Sequence, residues 1–219
     1  MNSLTLKIIA YITMIVDHIG AFFFPGKIIW RLIGRISFPI FAILLTNTYI
    51  YTENIENKKK KFYFFGIITE LILITLKLNV SNILFAMYLS LELLEAKDTN
   101  NKKKYTIFII STILLSMLCG INYIYEVLFI LTLYKYRTCN SKKEKTKNLF
   151  KLEILIYLTY LITTQNLIIA LFYNIMTFIS LIFSIKFYNN KYGNKKIHKI
   201  LWLIYPIHFI IIYLIGKCI

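Results

Sequence analysis

Leu6–Leu45 reads LKIIAYITMIVDHIGAFFFPGKIIWRLIGRISFPIFAILL, two apolar runs joined at Pro25-Gly26 and carrying Asp17, His18, Arg31 and Arg35. A charged side chain at membrane depth costs about 2.5–3.5 kcal/mol on insertion scales, so four ionisable groups around one hairpin are expected to be paired and to serve a function. The plainer reading is that they are ion pairs that anchor helices and meet lipid headgroups near the membrane surface.

The rest of the chain supports a membrane setting. Of 219 residues 58% are hydrophobic, the mean hydropathy is +0.65, and only 7 Gly and 3 Pro are present. These values exclude a disordered chain and point away from a soluble domain. The apolar runs are continuous rather than alternating, which selects helices over an outer-membrane barrel. The fold class expected is therefore all-α, a polytopic transmembrane bundle of about nine helices in one domain, 1–219. The net charge is +16, but the lysines fall in short runs between apolar segments and form no single basic face, so membrane lipid and not nucleic acid is the expected surroundings. Cys119, Cys139 and Cys218 are odd in number and lack CxxC or paired-His spacing, so neither a disulfide framework nor a metal site is expected. The first apolar run holds Asp17 and His18 and lacks a small-x-small cleavage pattern, so it is expected to stay as the first transmembrane helix.

Apolar segments fall at about 4–24, 28–50, 62–78, 80–95, 105–120, 121–137, 149–164, 166–187 and 197–217. The fourth and fifth are near the lower length limit, and Asn79, Ser81 and Asn82 could open a re-entrant segment in place of a span, leaving eight. Every second connection is basic: Lys58 to Lys61, Lys97 to Lys104, Lys135 to Lys151 and Lys186 to Lys199. Those near Pro25, Lys77, Gly120 and Gln165 are short. The positive-inside rule then predicts a multi-pass protein of the cytoplasmic membrane with its N-terminus inside and, with nine spans, its C-terminus outside.

In that topology Asp17, His18, Arg31 and Arg35 share the outer half of the membrane. Adjacent helix residues do not face each other, so Asp17 is not expected to orient His18. Arg31 and Arg35, at i and i+4, are the natural partners of Asp17. His208 lies in YPIHF of the last segment, beside Pro206, which removes a backbone hydrogen bond. Glu70, Asn82 and Glu126 are further polar candidates inside or beside apolar runs. A buried histidine can act as a general base or a transient acyl carrier, and an arginine can hold a phosphate-bearing donor or balance a carboxylate. The chain has no Walker A loop, GxSxG elbow or HExxH, so the sequence gives no support to nucleotide hydrolysis, that form of serine hydrolysis or zinc proteolysis.

The opening LKIIAYITMIVDHIGAFFFP, followed by RLIGRISFPIFAILL, resembles the TraX family of membrane proteins. The likeness continues through Thr69 and Glu70, Asn82 to Phe85, and YPIHF. The resemblance implies N-acetylation of a peptide or pilin amino terminus with acetyl-CoA as donor, and a distant kinship to transmembrane acyltransferases. It makes His18, Asp17 and His208 the candidate catalytic residues, Lys7, Arg31 and Arg35 the donor-binding ones, and Glu70, Asn82 and Glu126 supporting polar groups. In the broader acyltransferases ten residues separate a basic residue from a histidine, and Lys7 and His18 repeat that spacing. Three helical turns apart, they would share a helix face at depths about 16 Å different. The chain departs from the family at Asn122, Tyr123 and Ile124, where members carry Asp-Tyr-Gly, and at Thr46 to Tyr49, where they carry Glu-Gly. A small-molecule transporter or flippase, and a non-catalytic assembly or immunity protein, remain the alternatives.

Overall fold

A computed structural model describes residues 1–78, 80–120 and 122–218, with the backbone alone at Lys195. Asn79, invoked above for a re-entrant segment, and Ile121, the expected first residue of the sixth segment, lie outside the described residues. The described residues are all helical apart from turns and connections: α1 Ser3–Phe23, α2 Ile28–Gly34, α3 Ser37–Tyr51, α4 Ile55–Thr75, α5 Ile83–Asp98, α6 Lys102–Cys119, α7 Asn122–Thr138, α8 Lys142–Thr164, α9 Leu167–Phe187 and α10 Lys195–Cys218. They make nine helical segments once α2 and α3 are taken as one.

That second segment was expected to run unbroken over 28–50. It is interrupted at Arg35–Ile36 because Pro39 has no N–H for the Arg35 carbonyl, and its ring would press on that same carbonyl. The turn tightens, with Ile36 N–H donating to Ile33 O at 3.2 Å, and Ser37 Oγ donates to Gly34 O at 2.9 Å. Arg31 and Arg35 therefore do not sit on one continuous helix, as their spacing suggested.

Asparagines open many of the helices. Asn2, Asn82, Asn101 and Asn166 each accept a hydrogen bond from a backbone N–H of the first turn, which would otherwise have no partner. Left-handed residues close others. Lys77 at φ 53° and Asn100 at φ 51° each end a helix with a paired i+3 and i+5 bond: Lys77 N–H to Ile74 O and Leu78 N–H to Leu73 O, then Asn100 N–H to Lys97 O and Asn101 N–H to Ala96 O.

The basic connections are shorter than the sequence suggested, because much of their length is helix. Lys58 to Lys61 lie inside α4, Lys102 to Lys104 open α6, and Lys142 to Lys151 open α8, so only Cys139 to Ser141 separates α7 from α8. Lysine and glutamate are good helix formers, and extending a helix that is already nucleated adds one hydrogen bond per residue. Among the described residues, four segments are long and apolar enough to cross a membrane: Ser3–Phe23, Ile28–Tyr51, Leu167–Phe187 and Lys196–Cys218.

The chain divides into two compact units. The first comprises Met1–Leu44, Leu71–Leu78 and Tyr160–Ile219, and the second Leu45–Glu70 and Asn79–Thr159. In the first, α1 packs on α2 and α10, and α2 on α9. Two glycines bring α1 and α2 together. A methyl group on Gly20 would meet Trp30 Cβ at 2.1 Å, and one on Gly34 would meet Asp17 Oδ1 at the same distance. In the second, α5, α6 and α7 pack mutually around Ala86, Leu89, Leu93, Tyr123 and Val127. At one end of that unit the buried Lys59 pairs with Glu56, with Glu95 at 2.9 Å and with Glu92 at 3.4 Å, while Lys104 pairs with Glu95 and with Glu92 at 2.7 Å.

Two predictions follow from this packing. Gly20→Ala and Gly34→Ala should each destabilise the purified protein in detergent by about 1–3 kcal/mol, the usual cost of overpacking. Gly26→Ala, with nothing within 4 Å, should melt like the parent chain. The Lys59 cluster gives a pH signature. Burial opposes the Lys59 charge, but the hydrogen bonds it donates to Glu56 and Glu95 and the charge of Glu92 outweigh it, so its pKa is raised. Lys104, bonded to Glu92 and Glu95, is raised against the same opposition. A raised folded-state pKa stabilises fully below the unfolded value of 10.5 and is lost as pH climbs through the folded one. Lys59→Met should therefore cost about 1–3 kcal/mol, because the buried Glu92 loses one of its two cations while Lys104 stays paired with it. The gap in melting temperature should hold from neutral pH to about pH 9–10 and narrow only above about 10.5.

Candidate functional site

Asp17 and His18 are neighbours on α1 and reach different helices, as their angular separation requires. Asp17 turns toward α2, where Arg31 Nη1 donates to its Oδ2 at 2.8 Å and to its main-chain oxygen at 3.4 Å. The other oxygen, Oδ1, packs on Gly34 and is buried without a hydrogen-bond partner among the described residues. The guanidinium of Arg35 lies 4.5 Å from the ring centre of Tyr173 and 5.1 Å from that of Tyr160, a cation–π arrangement, and the hydroxyl of Tyr160 is 2.8 Å from Thr177. Its charge also acts on Asp17, as does that of Arg31. Of the two arginines expected to partner Asp17, Arg31 forms the ion pair, and Arg35 is carried past the helix break onto two tyrosines.

His18 turns toward α10. Its Nδ1 lies 2.8 Å from Nε2 of His208, the ring centres are 5.0 Å apart and the ring planes differ by 7°. Nitrogens this close in parallel rings leave too little separation between the planes for face stacking, so the two imidazoles meet edge to edge in nearly one plane. The far side of His208 fixes the direction of the hydrogen bonds. Its Nδ1 is 3.2 Å from Ile204 O, and a carbonyl only accepts, so His208 Nδ1 carries the hydrogen. In the neutral pair His208 Nε2 is then the acceptor, His18 Nδ1 the donor, and the remaining lone pair sits on His18 Nε2. No hydrogen bond to that atom forms among the described residues. Phe209, with ring centres 4.9 Å from His18 and 4.0 Å from His208, and Tyr205, 5.6 Å from His208, wall the pair with buried aromatic surface.

Lys7, eleven positions before His18, places its ammonium 4.9 Å from the ring centre of Trp202 on α10 and 6.0 Å from that of Tyr11. Of the supporting polar residues, Glu70 accepts from Asn82 Nδ2 at 3.1 Å within the second unit, and Glu126 is buried in α7 of that unit.

Several participants escaped the sequence. The Ile204 carbonyl has no side-chain signature. Tyr205 and Phe209 sat inside YPIHF as ordinary apolar residues, and Gly34 was visible only as part of RLIGR. His198 was also passed over. Its Nε2 lies 2.8 Å from Tyr192 O and 3.3 Å from Ser3 Oγ, which donates to the same carbonyl at 2.7 Å. Nε2 facing a carbonyl carries a hydrogen, so His198 is a donor there and not a base for Ser3.

A sequence model described as TraX protein matches residues 3–216. Among curated proteins, an uncharacterised protein of Rickettsia prowazekii (strain Madrid E), RP591, is 31% identical over 86 residues, which is 38% of this chain and 33% of the relative. The chain thus spans about a third of that relative's length. No solved structure matches. With nearly every residue inside the family match, this helical membrane protein belongs to the TraX family.

Proposed function

We propose that the chain is a membrane N-acetyltransferase that moves an acetyl group from acetyl-CoA to a primary amine, the N-terminus of a peptide or pilin, at the outer side of the cytoplasmic membrane. Its family is known for pilin N-acetylation. The observation that carries the reading is the directed chain Ile204 O, His208, His18, which leaves the His18 Nε2 lone pair as the general base. As the amine nitrogen attacks the acetyl carbonyl it becomes acidic, and His18 Nε2 takes the proton it gives up. His208 holds the imidazole of His18 in the reactive tautomer, the part a carboxylate plays in other histidine-based sites. The bond between Asp17 and Arg31 fixes α1 against α2 beside that base, and the cations of Lys7, Arg31 and Arg35 suit the phosphates of the donor. Acetyl-CoA, as substrate, supplies the activated thioester carbonyl and a thiolate leaving group.

Loss of a general base lowers rates by about 10² to 10⁴. His18→Gln should therefore abolish detectable acetylation of the acceptor peptide, read by mass spectrometry with membranes from expressing cells. His208→Gln keeps an acceptor for the His18 Nδ1 hydrogen and should lose less activity than His208→Ala. Full activity in His18→Gln would reject the assignment.

The inside N-terminus and nine spans of this reading can be checked on the native cysteines. Cys119 and Cys218 are exposed and Cys139 is half-buried in the α7–α8 turn. A membrane-impermeant maleimide added to intact cells should label Cys119 and Cys218 and spare Cys139 until the cells are opened. Labelling of Cys139 from outside would overturn the topology.

A further inference from the structure

The second unit holds a buried polar group that the acetyl-transfer reading does not use. Asn82 organises it. Its side-chain amide donates to Gly66 O at 2.8 Å and to Glu70 Oε2 at 3.1 Å, its Oδ1 accepts from Leu84 N–H at 3.2 Å, and its backbone N–H donates to the hydroxyl of Tyr123 at 3.1 Å. Every hydrogen-bonding position of Asn82 facing this group is thereby occupied. Tyr123 is different. It is 1% exposed and its hydroxyl oxygen accepts from Asn82, yet its own hydrogen has no acceptor among the described residues.

Three residues further along α7 stands Glu126, 9% exposed, with Oε2 wholly buried and without a hydrogen-bond partner among the described residues. Positions i and i+3 lie on one helix face, and both Glu126 and Glu70 act electrostatically on Tyr123. Neither carboxylate has a Lys, Arg or His within ion-pair distance among the described residues. A buried carboxylate oxygen with no donor is expensive, and a buried charge is ordinarily paired or bound to a cation. No group of three or more His, Cys, Asp or Glu able to hold a metal ion occurs among the described residues. One unpartnered carboxylate beside a phenol oxygen instead matches a small singly charged cation.

We infer that α4, α5 and α7 build a binding site for a small monovalent cation, with the Glu126 carboxylate as its anionic ligand, the Tyr123 oxygen as a neutral ligand and Asn82, bonded to Glu70, as the fixed frame. An alkali ion and the head of a primary ammonium share this chemistry. The ammonium would donate to Glu126 Oε2 and to the free lone pair of Tyr123, and an alkali ion would take both oxygens directly.

The test uses the full-length protein in detergent and dicyclohexylcarbodiimide, an apolar reagent for protonated carboxyl groups in membrane proteins, with the modified residue identified by peptide mass spectrometry. Glu126 should be labelled in choline chloride, whose quaternary nitrogen has no N–H to donate. At equal ionic strength, labelling should slow about tenfold or more on addition of the cation that binds. Protection by sodium or potassium chloride identifies an alkali ion, and protection by methylammonium chloride alone an ammonium head. Tyr123→Phe, which keeps the ring and removes the hydroxyl, should raise the protecting concentration about tenfold, the loss of one hydrogen bond to a charged group. Glu70→Gln should raise it as well, and Glu126→Gln should abolish the label. Equal labelling in every salt, as for a carboxyl bridged by water alone, overturns the proposal, as does failure of Glu126 to react in choline.

Discussion

Asp17 accepts from Arg31 at 2.8 Å across two helices whose backbones are held together by glycine. The placement of the histidine site depends on this contact. In an apolar surrounding a lone carboxylate or guanidinium is costly, so each charge is tolerable only with the other in place. The approach needs Gly34, since any side chain there would occupy the space of the Asp17 carboxylate. Once α1 is locked to α2 by its Asp17 face, its next residue, about 100° around the helix, is committed to the opposite neighbour, and that neighbour is α10 with His208.

The two histidines illustrate how a backbone atom can govern side-chain chemistry. Imidazole has two nitrogens of similar character, and a free pair could share its protons in either sense. The carbonyl of Ile204 removes the choice because it can only accept, and the consequence passes through two rings to a nitrogen on another helix. The aromatic rings of Phe209 and Tyr205 limit the routes by which water or another donor could compete. His198 obeys the same rule: its Nε2 faces the Tyr192 carbonyl and is a donor, as Nδ1 of His208 is toward Ile204.

The ends of the helices follow a different logic. Lysines in α4, α6 and α8 continue the helices beyond their apolar stretches, and where two such ends meet carboxylates, at Lys59 and Lys104, they close into a compact ion network. The outward faces of the apolar stretches carry large exposed side chains, Met117 at 79% and Leu118 at 81% among them, which suits lipid as the surrounding solvent.

The helical class, the nine segments and the pairing of Asp17 with an arginine from the next segment were all legible in the residues, because apolar run length and the cost of unpaired charge act locally along the chain. The break at Arg35 was missed, because apolar continuity over 28–50 concealed it, although Pro39 four positions later is its cause. The helical state of the lysine-rich connections was hidden, since hydropathy records burial and not backbone hydrogen bonding. What only the tertiary structure decided was which partners meet: His18 with His208, 190 positions apart, the two tyrosines around Arg35, and the buried Glu126 beside Tyr123. Those contacts depend on helix rotation and on close approach at single glycines, and a sequence read as separate helices specifies the face of each helix without specifying which other face it will meet.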